Sequence, residues 1–480
     1  MRMMRYLTAF GLVLFVTANA CSEGEDPPAE AGGSSSAGTD TNGGRAGSGT
    51  SGTSSTSAGA GQGGSGPTAG TAGKGASGSS GRNAEGGSSG TSSSGGAGTS
   101  ATGGAGTSGT GAGDAGSGIT AGSAGTSGSS GDGVAPVIAA GVRWIGRVDV
   151  ADSAALKFAW SGTGFIGTIN GDSVAVKLRS DGGSDPVFFQ PVIDGMPKAR
   201  FSVASSEGEK TVTLGSGLGE ADHVVELYRE TEGKSGFAYS TFLGFATGTP
   251  QEPPAYSGRL IEVVGDSISA GYGNLGMEEH PNGSADPNGG CRFTTETESA
   301  YLTYGAVAAR SLEADASILA ASGWGIYSDN TGSTSNVLPS VYANTVGNQA
   351  TPAWSFSAKP QAVVINLGTN DFSANMDLAA EPFSNAYRTF IGTIRGKYPD
   401  ALILCAIGSM LYGTGLTNAT AYIEALVADL NDAGDQKVKV LNFGQQNSSL
   451  GTGCDWHPSV AENERMADML AAELQNSLGW

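Results

Sequence analysis

The sequence predicts an α/β protein: a three-layer α/β/α domain on a parallel five-stranded sheet, preceded by an all-β jelly-roll domain. Three observations carry this reading. After residue 258, five continuous apolar runs alternate with segments of helical periodicity. Before them lies a region of short apolar–polar alternations broken by turn residues. A proline-rich stretch at 250–254 separates the two.

The first segment, residues 1–21, has the make-up of a lipoprotein-type signal peptide. Arg2 and Arg5 supply positive charge, 7–16 is a short apolar run, and Ala18-Asn19-Ala20-Cys21 places small residues before a cysteine. The run is too short to span a bilayer comfortably. Cys21 is then the acylated first residue of the mature chain; the alternative is an ordinary secretory signal cut at Ala20. Either way the protein is exported, to the cell surface or outer membrane as a lipoprotein, or secreted. Its contact with a membrane would be the N-terminal lipid alone.

Residues 22–134 follow as a linker, almost entirely Gly, Ser, Thr and Ala from residue 31 onward, which explains much of a total of 80 glycines. Such a composition buries too little apolar area to offset its ordering entropy, so it is expected to be disordered. A flexible glycine-rich tether of this length has a root-mean-square span of roughly 55 Å.

Residues 135–249 form the expected jelly roll. Val174-Ala175-Val176-Lys177-Leu178-Arg179 and Thr211-Val212-Thr213-Leu214 alternate with period two, as half-buried strands do. Asp194-Gly195, between two such runs, suits a tight hairpin that needs positive φ at both positions. Many short strands of this kind suggest a closed double sheet.

In residues 258–480 the strand-like runs are 260–264, 316–320, 362–367, 402–407 and 438–443. The helix candidates are 299–312, 383–397, 419–430 and 461–478. Continuous Val, Ile and Leu in strands separated by helices imply a parallel sheet covered on both faces. In such folds functional residues gather beyond the carboxyl ends of the strands. There the sequence places Ser267, Gly323 and Asn370 after the first three runs, and His457 after the last.

Those residue types suit ester hydrolysis. A serine hydroxyl needs a base to take its proton, and of the three histidines His457 is the one that follows the last strand and precedes the last helix. His223 lies in a β-domain run and His280 in a Pro-Asn-Gly loop. The oxyanion of a tetrahedral intermediate needs donors, for which the backbone N–H groups of Ser267 and Gly323 and the side-chain amide of Asn370 are candidates. Trp324, Tyr327 and Trp456 flank the site as candidate substrate-binding residues, either stacking on a substrate ring or filling the core beside the sheet edge. Cys291 and Cys454 are positioned to form a disulfide that holds the loop after Ser267 over the site, and Cys405 reads as a buried thiol within a strand.

Gly265-Asp266-Ser267-Ile268-Ser269, Gly323, Gly368-Thr369-Asn370-Asp371 and His457-Pro458 resemble the four sequence blocks of the SGNH (GDSL) hydrolase superfamily, in order. Arg143-Trp144-Ile145-Gly146-Arg147 and Cys454-Asp455-Trp456-His457-Pro458 resemble carbohydrate esterase family 2, with its N-terminal jelly roll. The resemblance implies an acetylxylan esterase-like serine enzyme acting on acetylated plant cell-wall polysaccharide such as xylan or glucomannan, with no cofactor and no metal. The superfamily usually places an aspartate three residues before the histidine, where this chain has Cys454. Either Asp455 orients the imidazole or a backbone carbonyl does, leaving a Ser-His dyad.

A formal net charge of −20 argues against a nucleic-acid partner, because phosphate binding needs clustered Lys and Arg. Two alternatives stay open at this point. One is another SGNH lipase, esterase, thioesterase or peptidoglycan O-acetyl esterase. The other is a non-catalytic carbohydrate-binding surface protein.

Overall fold

A computed structural model describes residues 136–233, 238–280, 284 and 290–480. The expected signal peptide, the acylation candidate Cys21 and the linker lie outside the described residues.

Ten antiparallel strands make the β-rich domain: β1 (Val137–Ala139), β2 (Val142–Ile145), β3 (Leu156–Phe158), β4 (Gly164–Asp181), β5 (Val187–Ile193), β6 (Met196–Pro197), β7 (Phe201–Val203), β8 (Lys210–Ser216), β9 (Asp222–Arg229) and β10 (Tyr239–Pro250). The long β4 serves two sets of partners. Its first part pairs with β2 and β9, its second with β8. Gly171, at φ 138, sits at the changeover, in a backbone region open to glycine and hostile to other residues. Val174, Val176, Leu178 and Leu214, from the alternations read in the sequence, are buried in the interior, where Trp144, Phe158, Phe165, Phe189 and Phe242 pack with ring centroids 5.3–6.4 Å apart, mostly edge to face. Asp194 and Gly195 both have positive φ, 51° and 73°, and join β5 to β6 as the hairpin rule requires.

The five expected apolar runs become β11 (Leu260–Gly265), β12 (Asp315–Ala320), β15 (Ala362–Asn366), β16 (Leu402–Ile407) and β17 (Val438–Asn442); the short pair β13 (Asn344–Val346) and β14 (Gln349–Ala353) forms a separate hairpin. The sheet is parallel throughout, in the order β12-β11-β15-β16-β17. The helices are α1 (Ser267–Ala270), α2 (Tyr304–Ser311), α3 (Thr369–Ala374), α4 (Ala380–Lys397), α5 (Gly413–Asp432) and α6 (Val460–Leu478). Alternate strand residues point to opposite faces. Ile261 and Val263 therefore join the core under α2 and α6, while Val264, Val363 and Ile365 join the core under α4 and α5. This is the three-layer α/β/α architecture expected from the sequence.

The structure departs from one expected helix and adds one hairpin. The helix expected over 299–312 starts only at Tyr304, after a 3₁₀ turn at Ala300–Leu302. Ala300 N–H donates to Glu230 O at 3.2 Å and Tyr301 N–H to Glu230 Oε1 at 3.2 Å, which fastens this turn to the β-rich domain. The β13–β14 hairpin has no sequence signature of its own. Its start is held instead by Arg147, whose guanidinium donates to Asn344 O at 3.1 Å and to Tyr342 O.

Arg147 is fully buried and also donates to Glu262 Oε2 at 3.1 Å, while Tyr342 and Tyr398 hydroxyls donate to the same carboxylate. Removing one partner of such a pair costs about 3–5 kcal/mol, because the other charge is left buried alone. Arg143 pairs with Asp315 nearby. The motif around Trp144 thus carries two arginines that fasten the β-rich domain to β11 and β12.

Candidate active site

The strand order reverses between β11 and β15, the place where open α/β sheets leave a crevice at their carboxyl ends. Ser267 follows β11 and Asn370 follows β15, so both stand at that crevice.

Ser267 is the first residue of α1. Asp266 caps this helix, accepting from Ile268 N–H at 3.0 Å, and Gly271 closes it at φ 90. One turn of helix immediately after a strand leaves the serine hydroxyl at the sheet edge. Its Oγ lies 2.9 Å from Nε2 of His457, 190 residues away in sequence. The other ring nitrogen, Nδ1, lies 3.1 Å from Asp455 O and 3.2 Å from Cys454 O. Carbonyl oxygens only accept, so Nδ1 carries the hydrogen and Nε2 turns its lone pair to the serine hydroxyl.

The Asp455 carboxylate faces elsewhere, accepting from Tyr272 Oη–H at 3.1 Å and Phe293 N–H at 3.0 Å. Of the two possibilities read from the sequence, the main-chain carbonyl is the one seen on the imidazole. The cause is local: Asp455 and Trp456 both have positive φ, 49° and 63°, which swings the carbonyl of 455 toward the ring. Left-handed conformations at two consecutive non-glycine residues cost on the order of 1–3 kcal/mol each, so the surroundings must impose them. They do so through the Cys291–Cys454 disulfide, through Asp455 N–H on Cys291 O at 3.0 Å, and through Gly453 N–H on His457 O at 2.7 Å.

The donors expected for an oxyanion are near one another in the fold but differ in what they already hold. Gly323, at φ 84, has an N–H that donates to no group among the described residues. Asn370 is committed: its amide donates to Trp324 O at 3.0 Å and, more weakly, to Asp266 Oδ2 at 3.3 Å. It has only the longer contact to share with a substrate. Asp371, fully buried, accepts from the N–H groups of Ile326, Tyr327 and Ser328 at 2.8–3.0 Å and so shapes the same loop. A Cβ at Gly325 would lie 2.2 Å from this carboxylate, which explains the glycine. Burial, reinforced by the charge of Asp371, raises the Asp266 carboxyl to about 7.

Residues 144–254 match the carbohydrate esterase 2 N-terminal family, and residues 263–473 match the GDSL-like lipase/acylhydrolase family. A solved family two carbohydrate esterase from Clostridium thermocellum, in complex with cellohexaose, is 38% identical; the match covers 71% of this chain and 99% of that one, with a TM-score of 0.64. The chain belongs to carbohydrate esterase family 2. Among curated proteins, the cellulase/esterase CelE of Acetivibrio thermocellus is 38% identical over 71% of this chain, which spans only 40% of that protein's length. An acetylxylan esterase / glucomannan deacetylase of Cellvibrio japonicus is 25% identical, with 71% of this chain and 89% of that protein covered.

In this esterase the three aromatic candidates have different surroundings. Trp456 is 53% exposed beside His457. Trp324 and Tyr327 are half-buried and pack against the core under α4 and α5. Sequence reasoning missed a further aromatic pair: the Tyr272 ring lies 4.2 Å from the His457 ring and stacks on Phe293 at 3.9 Å. The expected Cys291–Cys454 bridge was the available signal, since it brings the segment containing Phe293 to the histidine. Cys405 is buried and free as expected, and burial pushes its thiol up to about 12. His223 hydrogen-bonds Asp194 at 2.8 Å and Gly219 O at 3.2 Å, a structural role within the β-rich domain.

Proposed function

We propose that this esterase removes O-acetyl groups from hemicellulose, such as xylan or glucomannan, by nucleophilic catalysis at Ser267. The observation that carries the reading is the 2.9 Å contact between Ser267 Oγ and a His457 ring whose far nitrogen is held by Asp455 O. As Oγ attacks the acetyl carbonyl carbon, its proton passes to Nε2. The oxygen that becomes negative meets the N–H groups of Ser267 and Gly323, with the weaker share from Asn370. Collapse returns the proton from Nε2 to the departing sugar oxygen and leaves acetyl-Ser267. Water then attacks that ester, His457 takes its proton and gives it to Ser267 Oγ, and acetate leaves.

A carbohydrate as the alcohol half of the ester is supported by the exposed Trp456 face beside His457, and by the relatives named for acetylxylan, glucomannan and cellohexaose. The export signal, with Cys21 as a lipid anchor, belongs to the same proposal, since a wall polymer is met outside the cell.

Acetate release from acetylated xylan, acetylated glucomannan and O-acetylated peptidoglycan tests the reading. Wild type is expected to act on the plant polymers, with Ser267→Ala inert on all three; preference for peptidoglycan would overturn the substrate assignment. In the same assay Trp456→Ala is expected to raise KM on polymer roughly 3–10-fold, the worth of one aromatic stacking contact. Turnover of p-nitrophenyl acetate should stay within about twofold of wild type. An unchanged polymer KM would remove Trp456 from the binding surface.

A further inference from the structure

We propose that Glu232, contributed by the β-rich domain, is a positioning residue for the reaction, holding the loop that presents the Gly323 N–H. The inference rests on the proposed oxyanion role of that N–H and extends it across the domain boundary.

After β12 ends at Ala320, the chain must leave the sheet and aim one peptide N–H at the crevice. Ala321 N–H still reaches back to Gly265 O at 3.2 Å. The next donor, Ser322 N–H, goes to Glu232 Oε2 at 2.7 Å, a charge-assisted length. Beyond it, Asn330 N–H donates to Gly323 O at 2.8 Å and Trp324 N–H to Ala321 O at 3.2 Å. The peptide bearing the Gly323 N–H is thus gripped on both sides, and Glu232 is the grip on the side of the nucleophile's domain partner. With φ 84 at Gly323 the backbone there is soft, so its direction depends on these neighbours.

Glu232 can act this way because its own segment is rigid. The fully buried Arg229 guanidinium donates to Thr231 O at 2.7 Å and Ser240 Oγ at 2.6 Å. Glu230 accepts from Ser299 Oγ at 2.9 Å and from Tyr301 N–H at 3.2 Å. Glu232 itself is 2% exposed. The β-rich domain therefore builds one wall of the candidate site.

Three substitutions of Glu232 and one control elsewhere, read with kcat, KM and melting temperature, test this. Glu232→Ala is expected to lower kcat about 10–100-fold, less than the roughly 10²–10³ for losing a donor outright, with KM within about threefold. Glu232→Gln keeps an acceptor at the same reach and should stay within about threefold of wild type. Glu232→Asp keeps the charge but withdraws the oxygen by one methylene, and should fall with the alanine variant; this comparison stands even if Glu232→Ala fails to fold. Arg143→Gln, which breaks the pair with Asp315 between the two domains and touches neither the loop nor the Glu232 segment, should melt lower at an unchanged kcat. The rate of inactivation by a fluorophosphonate, whose tetrahedral adduct uses the same donors, should fall in step with kcat. Full kcat in Glu232→Asp with loss in Glu232→Gln, or melting changes alone in all Glu232 variants, would overturn the proposal. Ser267→Ala distinguishes the two levels: if it is inert while Glu232 variants turn over normally, only this inference fails, and if it is active the hydrolytic reading fails as well.

Discussion

His457→Ala is expected to lower kcat by roughly 10⁴-fold, and Asp455→Asn by no more than about threefold. The first figure is the upper range for general-base catalysis, and it applies here because Ser267 Oγ has its base at 2.9 Å. The second follows from which Asp455 atom touches the ring. In a triad whose carboxylate holds the imidazole, Asp→Asn costs about 10⁴ because the tautomer is wrong. Here the main-chain oxygen of residue 455 accepts from Nδ1, and asparagine keeps that oxygen and tolerates positive φ almost as well. The side chain serves Tyr272 and Phe293, so its loss is read in stability, by about 1–3 kcal/mol. Steady-state kinetics on p-nitrophenyl acetate check both; a loss of kcat in Asp455→Asn approaching that of His457→Ala would contradict the dyad.

Asp371→Ala is expected to have the next largest effect. Its carboxylate satisfies three backbone N–H groups of the loop that follows Gly323, and it does so from a fully buried position. Burial raises this carboxyl, and the three N–H groups oppose that shift, so the charged form depends on them as they depend on it. Removing the acceptor leaves three buried donors at about 1–3 kcal/mol each. A comparable loss in the stability of the whole domain would move the melting temperature by ten degrees or so. Because Gly323 and Trp324 share that loop, kcat should fall by about 100-fold as well. Asparagine should rescue most of the loss, since its amide oxygen can stand where Oδ1 accepts from Tyr327 and Ser328 and only the Ile326 N–H, on Oδ2, loses its acceptor. Thermal melting and kcat measured on the same preparations test this; an alanine variant that melts as wild type would show that water replaces the carboxylate.

Much of this site is legible in the sequence. The five strands announced themselves as unbroken apolar runs because a parallel sheet is buried on both faces, and the rule about carboxyl ends then brought Ser267, Gly323, Asn370 and His457 together. The disulfide could be read because Cys291 and Cys454 each sit beside a loop of the site. What could not be read depends on contacts between distant segments. The turn before α2 is fastened by Glu230, and the β13–β14 hairpin is anchored by Arg147; both partners lie in the other domain. The turn of Asp455 toward the imidazole by its carbonyl needs two left-handed residues, which no local propensity of Asp-Trp dictates. Trp324 and Tyr327 illustrate the same limit: aromatics next to a sheet edge serve core and surface alike, and here they pack inward.

The central claim is that Ser267 and His457 act as one unit, and covalent trapping tests it most directly. Peptide mapping of the enzyme after a fluorophosphonate should find a single adduct, on Ser267, with labelling of His457→Ala slowed by several orders of magnitude. An adduct on another serine, or equal labelling rates with and without the imidazole, would contradict the account.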